Sequence, residues 1–223
     1  MATRKIMQRL YFTFILVLLY YTSPSTASKR SRYVTCNSVV KLMNVQYNVR
    51  LHSHDIKYGS GSGQQSVTGT KVKEDGNSYW LIKGPTGKTC VRGKPISCGD
   101  IIRLEHIATK KNLHSHHFPS PLSDGQEVSA YGDFQGEGDT GDHWEVICNT
   151  EFWEKTDPIY LNHVDTDKRL TASGHAYTSL INGQIEIVGI HMAKGDASRW
   201  KAMEGMFIHP TEPETHHHEH TEL

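Results

Sequence analysis

The sequence lacks most features that mark helical, membrane-spanning or thiol-redox proteins. After residue 30, Gly and Pro interrupt almost every stretch, so helical periodicity is weak and short apolar runs alternate with polar residues. No second long apolar run follows the one near the N-terminus. No Cys-x-x-Cys motif occurs, which argues against a thiol oxidoreductase, and no Asn-x-Ser/Thr sequon occurs, so N-glycosylation is not expected. The weak helical periodicity and the short alternating apolar runs favour an all-β fold.

An excess of positive charge is missing as well. The chain has 24 basic and 24 acidic residues. Residues 1–27 hold three of the basic residues and none of the acidic ones, so the remaining chain is slightly acidic. Nucleic-acid binding needs a basic face, and membrane-surface binding needs a run of like charge. We therefore expect no nucleic-acid partner.

The N-terminal 27 residues have the pattern of a secretory signal peptide. Arg4, Lys5 and Arg9 precede an apolar run over residues 10–21, and small residues at 25–27 offer a cleavage site after Ala27. An uncleaved anchor is the alternative, but the run is shorter than the ~20 residues that a membrane span needs. We predict cleavage and no membrane insertion of the mature chain.

The C-terminus has the pattern of an endoplasmic reticulum retention signal. The last four residues, His220, Thr221, Glu222 and Leu223, resemble Lys/His-Asp-Glu-Leu, with Thr221 in place of Asp. Residues 208–223 are predicted to be a flexible tail. The histidines at 216–218 and 220 of this tail could suggest a metal site, but no scaffold would hold them around a metal, so no metal site is predicted there. The two ends together predict a resident of the endoplasmic reticulum lumen.

The four cysteines predict disulfide bonds in that oxidising compartment. They are Cys36, Cys90, Cys98 and Cys148, for which three connectivities are possible. The segment 91–97 contains Gly and Pro, which suit a chain reversal. We therefore favour Cys90–Cys98, which leaves Cys36–Cys148; free or partly paired thiols are the alternative.

Four landmarks recur three times along the chain. Each copy has an apolar-x-Leu segment, a second Leu nine residues on, a Gly-Gln pair and a Trp. The first Leu is Leu42, Leu104 or Leu161; the second is Leu51, Leu113 or Leu170; the Gly-Gln pairs are 63–64, 125–126 and 183–184; the Trp is Trp80, Trp144 or Trp200. A repeat of this period indicates an architecture of stacked or symmetric units.

Each copy reads as four short strands. The first strands are predicted at 39–43, 101–106 and 159–163, the third at 65–68, 126–130 and 184–188, and the fourth at 79–83, 143–148 and 199–203. Second strands carry the second Leu. The copies span 31–85, 93–148 and 149–204. One copy alone would leave its Leu and Trp side chains exposed to solvent. We predict a single twelve-stranded β-trefoil over 31–207. Its core would contain the first Leu and the Trp of each copy, namely Leu42, Leu104, Leu161, Trp80, Trp144 and Trp200.

Two histidine pairs are the residues that most suggest chemistry. His52 with His54, and His114 with His116, are two residues apart and share a face of a strand. They suggest a metal or sugar site, but hydrogen bonding that fixes the adjacent turn is the favoured interpretation. Zinc needs four ligands, and a catalytic dyad needs a nucleophile or paired carboxylates. The Gly-rich run 58–63 lacks the following helix that a phosphate site needs. We expect no catalysis, cofactor or metal.

Several segments resemble the MIR repeat of protein O-mannosyltransferases, inositol trisphosphate receptors and ryanodine receptors. They are 51–55 (Leu-His-Ser-His-Asp), 58–68, 98–106, 112–117 (Asn-Leu-His-Ser-His-His) and 200–205. With the two targeting ends, nearly the whole chain resembles the stromal cell-derived factor 2 family. The third copy departs from the pattern, because residues 170–175 lack His-Ser-His.

The resemblance implies a β-trefoil without enzymatic activity that works in lumenal quality control. It implies a J-domain co-chaperone, the lumenal Hsp70 and misfolded clients as partners. The alternative is a mannose- or O-mannosyl-binding lectin, since the module is shared with mannosyltransferases. In that case Tyr58, Tyr131 and Tyr177 are the candidate aromatic residues, together with His52, His54, His114 and His116, and the partners would include glycans.

Overall fold

The computed structural model describes residues 32–178, 181 and 183–209. The predicted signal peptide and the predicted retention signal lie outside these residues. The described part contains twelve strands, which confirms the prediction of a twelve-stranded all-β chain. They are β1 (Val39–Asn44), β2 (Arg50–Lys57), β3 (Gln65–Thr70), β4 (Trp80–Lys83), β5 (Ile101–His106), β6 (Asn112–Pro119), β7 (Gln126–Tyr131), β8 (Trp144–Ile147), β9 (Tyr160–His163), β10 (Lys168–Ala176), β11 (Ile185–His191) and β12 (Trp200–Met206). In this part of the chain, no helix is long and apolar enough to cross a membrane.

Six strands, the first and fourth of each copy, pair in a ring. Antiparallel pairs join β1 to β4, β4 to β5, β5 to β8, β8 to β9 and β12 back to β1. A bridge between Ile159, just before β9, and Trp200, at the start of β12, closes the ring. Closure pairs strand edges that would otherwise be open to other chains.

The other six strands form three hairpins, β2–β3, β6–β7 and β10–β11. Their second members, β3, β7 and β11, each pair with the other two. Each copy therefore contributes two strands to the ring and one hairpin beside it, and the three copies share one core.

The Trp and second Leu of each copy are in direct contact. All three indoles are fully buried, as are the first and second Leu of every copy. The indole Nε1 of each Trp donates a hydrogen bond to the carbonyl of the second Leu of its own copy, at 2.9 Å in the first two copies and 2.8 Å in the third. The recurring Leu and Trp of the sequence are thus in contact in the structure, and this contact holds each hairpin against the ring.

The Gly-Gln landmark does not mark equivalent positions in all three copies. Gln65, not Gln64, corresponds to Gln126. Each of these two amides donates to a serine of the preceding strand, at 2.7 and 2.8 Å, and to a threonine of the following copy, at 2.9 and 2.8 Å. Leu51 pairs with Gly69 and Leu113 with Ala130, so the second hairpin is one residue shorter. The alignment of copy two by its Gly-Gln pair was therefore wrong by one residue.

The predicted disulfide pairing, Cys90–Cys98 with Cys36–Cys148, was wrong. The structure has Cys36–Cys90 and Cys98–Cys148. The segment 91–97 runs beside the strand-like segment at 34–36: the amide of Cys36 donates to Lys94 O at 2.9 Å, and Gly93 N donates to Cys36 O at 3.1 Å. Each cystine thus joins the start of one copy to the chain that follows its fourth strand.

Candidate functional site

The histidine pair of the first copy lies at one end of a chain of polar contacts. On β2, His52 Nε2 and His54 Nδ1 are 2.6 Å apart, and His52 Nδ1 is 2.7 Å from Asp75 Oδ2. Ser78 donates to the same Asp75 oxygen at 2.5 Å. Burial alone would raise the pKa of Asp75, but hydrogen bonds from Ser78 and His52 hold it below its ordinary value. Burial, and then the neighbouring His52, lowers the pKa of His54.

This series of contacts, from a carboxylate through imidazole to a serine, resembles the order of a catalytic triad. The serine proton, however, does not point to the imidazole. Ser66 Oγ is 3.4 Å from His54 Nε2. The same hydroxyl donates its proton to Ile56 O at 2.9 Å, so the proton is directed away from the imidazole. A nucleophile needs its proton shared with the base, at a shorter distance. The arrangement fixes the hairpin and does not activate Ser66.

In the second copy, the histidines pair with two buried carboxylates. His114 Nδ1 is 3.0 Å from Asp142 Oδ1, and His116 Nε2 is 3.1 Å from Glu127 Oε1. Both carboxylates have no exposed side-chain surface. Burial raises the pKa of Asp142, and the hydrogen bond from His114 opposes this.

Among the described residues, one group of three potential metal ligands stands out: His114, Asp139 and Asp142, whose ligand atoms lie within 4.8 Å of one another. Its oxygens already have protein donors. Gly141 N donates to Asp139 Oδ1 at 2.9 Å, and Asn112 Nδ2 donates to Asp142 Oδ2 at 3.1 Å. Three ligands that are held in hydrogen bonds fall short of the tetrahedral set that zinc prefers. We interpret the group as structural.

The sequence reasoning missed a second set of polar residues, at the last position of the first strand of each copy. This residue is a histidine in the second and third copies. His106 Nε2 donates to Asn77 O at 2.9 Å, and His163 Nε2 donates to Gly141 O at 2.8 Å. In the first copy Asn44 takes this place, and its Nδ2 donates to Ala197 O at 2.7 Å. Each contact joins a first strand to the turn before a Trp strand. The repeated Asn/His/His position was the available signal.

Replacing these two histidines by Asn is expected to flatten the pH dependence of stability. Burial lowers the pKa of both His106 and His163 from 6.5. Below about pH 6.5 the unfolded chain therefore binds protons that these rings do not, and the free energy of unfolding falls as pH falls. The double variant His106→Asn, His163→Asn copies Asn44 and removes both titrations. Urea unfolding between about pH 7 and pH 5.5 tests this. An unchanged slope would contradict it.

The three candidate tyrosines are not equivalent. Tyr58 is buried, and its hydroxyl is 3.0 Å from the carbonyls of both Val67 and Val128 and accepts from Val67 N at 3.2 Å. Tyr177 is half-buried, and burial followed by the carboxylate of Glu186 raises its pKa. Only Tyr131 of the three is an exposed aromatic ring. They do not form one sugar site repeated in each copy.

Exposed aromatic rings are concentrated on the second copy. Tyr131, His114, His116 and Phe118 form a continuous run with ring centroids 5.0, 5.0 and 4.8 Å apart; we call this run the aromatic face. Tyr131 and Phe118, at its ends, are exposed, and Phe134, three residues beyond Tyr131, has 85% of its surface exposed. Aromatic side chains are enriched at protein interfaces.

Comparison with known proteins agrees with this structure. The MIR domain model matches residues 41–155. Stromal cell-derived factor 2 of Mus musculus is 53% identical over 189 residues, which cover 83% of this chain and 89% of that protein. Stromal cell-derived factor 2-like protein 1 of Bos taurus is 51% identical over 197 residues, 88% of each chain. The crystal structure of the SDF2-like protein from Arabidopsis thaliana is 42% identical, has a TM-score of 0.77, and covers 81% of this chain and 99% of that one. The chain belongs to the stromal cell-derived factor 2 family of MIR-domain proteins.

Proposed function

We propose that this protein is a non-enzymatic adaptor of the endoplasmic reticulum lumen. It acts in protein quality control with a J-domain co-chaperone and, through it, the lumenal Hsp70, on misfolded clients. We also infer that its fold is a β-trefoil, which the ring of six strands and the mutual pairing of β3, β7 and β11 support.

Similarity along almost the whole chain carries the proposal. About half of the residues are identical to those of the curated relatives over more than four fifths of each chain. Whatever surface the family uses is therefore expected here too. The predicted signal peptide, the predicted retention signal and the two cystines fit an oxidising lumen.

The chemistry of the described residues supports an adaptor more than an enzyme. The histidines of the two pairs are engaged with each other or with carboxylates, and the hydroxyl nearest to them donates elsewhere. An acid–base role would need such a group to face a substrate in a pocket.

The aromatic face is the surface that we assign to the co-chaperone complex. Substituting its exposed ends and the adjacent loop, Tyr131→Ser, Phe118→Ser and Phe134→Ser, is expected to reduce recovery of the J-domain protein and Hsp70 about tenfold. The assay is affinity capture of residues 28–223 from lumenal extract, with partners quantified by mass spectrometry.

A matched control removes exposed apolar side chains from other copies. Val72→Ser in the first copy and Met192→Ser in the third are comparably exposed and lie outside the aromatic face. They should leave recovery unchanged. Equal recovery of the two chaperones with both sets of substitutions would show that they bind outside the aromatic face. Failure of the unsubstituted chain to recover either chaperone would overturn the adaptor proposal itself.

A further inference from the structure

The outer face of the third hairpin is open where the first two are filled. On β2 and β6 the residues that follow the second Leu are His-Ser-His, and the two imidazoles of each pair lie against each other. On β10 the equivalent positions are Thr171 and Ser173. A cavity of about 330 Å³ lies there, lined by both of these residues. We call it the third-repeat groove.

The same groove also lacks a glutamine side chain that is present beside the other two hairpins. In the first copy Thr68 donates its hydroxyl proton to Gln184 Oε1, and in the second Ser129 donates to Gln64 Oε1 at 2.5 Å. Strand register makes Val188 the third member of this set. Its neighbour is Gly125, where an added Cβ would lie only 2.7 Å from the Cβ of Val188. Smaller Thr and Ser side chains thus replace the two imidazoles, and the Val188 side chain takes the place of the carboxamide.

The walls of the groove combine apolar side chains, among them Val188 and Ile190, with one aromatic ring and several polar groups. Tyr47 reaches it from the turn between β1 and β2, and its ring is held against Gly174, where an added Cβ would meet the Tyr47 hydroxyl oxygen at 2.5 Å. Gly174 has a φ of +86°, which suits glycine. The exposed side chains of Asp124 and His175 stand at the rim, and Ser173 lines the inside. Thr171 lines it too, but its hydroxyl already donates to Arg169 O at 2.9 Å.

These groups select a class of ligand. No Lys or Arg is among the described residues that line the groove, so nothing there would hold a phosphate or another anion. An aromatic ring offers a surface to the C–H face of a sugar, and the carboxylate of Asp124, the imidazole of His175 and the hydroxyl of Ser173 suit its hydroxyl groups. The volume is within the range of small-molecule sites.

We propose that the third-repeat groove binds a neutral saccharide through one hexose unit. Beside the other two hairpins, the positions equivalent to Thr171 and Ser173 carry the larger histidine side chains. The inference goes beyond the adaptor proposal and does not depend on it.

The test uses the mature chain, residues 28–223, with the methyl α-pyranosides of mannose, glucose and galactose as probes. Binding is followed by amide chemical shifts in two-dimensional NMR. At least one probe is expected to move resonances of Tyr47, Asp124 and 171–175. If none of the three moves them at the limit of its solubility, or if the shifts lie elsewhere, the proposal is overturned.

Two substitutions make the test specific. Thr171→His with Ser173→His fills the groove as the first two copies are filled, and should weaken binding about tenfold or more. Asp124 lies at the exposed rim, so Asp124→Asn should change the stability of the fold little. It should weaken saccharide binding about tenfold through lost charge-assisted hydrogen bonds. The control is Asp55→Asn, an exposed aspartate of the first hairpin, which should bind as the parent does. Wild-type affinity in both groove variants would contradict the proposal.

Chaperone recovery in the capture assay is a separate readout. A groove variant that loses saccharide binding but still recovers the J-domain protein would support both proposals. Failure of capture together with intact saccharide shifts would overturn the adaptor alone.

Discussion

Removing either cystine is expected to lower the free energy of unfolding by about 4 kcal/mol in the chain-entropy model, because each closes a loop of about 50 residues. The sequence separations are 54 and 50 residues. The variants are Cys36→Ser with Cys90→Ser, and Cys98→Ser with Cys148→Ser. Urea unfolding without reductant measures the change. With reductant present, the parent and both variants should unfold at similar urea concentrations.

The same variants test the connectivity. Each leaves the other pair intact, so neither variant should react with a thiol reagent under native or denaturing conditions. A Cys90–Cys98 bond would instead leave one reactive thiol from each bond in both variants. It would also close a much shorter loop, for which the model gives only about 2–3 kcal/mol. Free thiols in either variant would refute the pairing seen in the structure.

Truncating a Trp of the repeat is expected to cost about 3–5 kcal/mol, since the indole is fully buried and Ala leaves a large cavity. Trp80→Ala, Trp144→Ala and Trp200→Ala should be similar, because the three indoles make the same bond to a Leu carbonyl. Unfolding followed by far-ultraviolet circular dichroism gives the values.

Phe substitutions separate the bond from the packing. Trp144→Phe keeps a ring but leaves Leu113 O without its donor, which costs about 1–3 kcal/mol beyond the lost packing. Trp153 is the matched control: it is also fully buried, but its Nε1 has no hydrogen-bond partner among the described residues. Trp153→Phe should therefore cost less than Trp144→Phe. The reverse order would show that packing, not the bond, dominates.

The sequence predicted the strands well because their signal is local. An apolar-x-Leu segment, a second Leu and a Trp at repeated spacing each mark a strand that faces the core, and all twelve strands were found near the predicted positions. The side-by-side placement of His52 and His54 also follows from the two-residue period of a strand.

Pairings between distant segments were not predictable in the same way. Aligning the copies by their Gly-Gln pairs shifted the second copy by one residue, because its hairpin is one residue shorter than that of the first copy. A local sequence pattern does not reveal such a difference in hairpin length. The disulfide prediction relied on a short reversal at 91–97, but that segment extends along the residues around Cys36. Partners such as Asp142 for His114 come from another part of the copy.

The third-repeat groove was even harder to predict from the sequence, because it depends on contacts between distant segments. The lack of His-Ser-His at 170–175 is visible in the sequence. Its consequence, an open groove, also depends on Gly125 from the second copy and Tyr47 from the first. Such a site is formed only where three copies meet, and no single copy contains it.

Closure of the ring by β12 against β1 has a consequence for synthesis on the ribosome. Chain growth is N- to C-terminal, so β1 lacks this partner until the last strand emerges. Both cystines lie entirely within the first 148 residues, so all four cysteines precede β9 to β12 in the chain. The first two copies can therefore be cross-linked while the third is still being made, whereas the edge of β1 stays unpaired until β12 is synthesised.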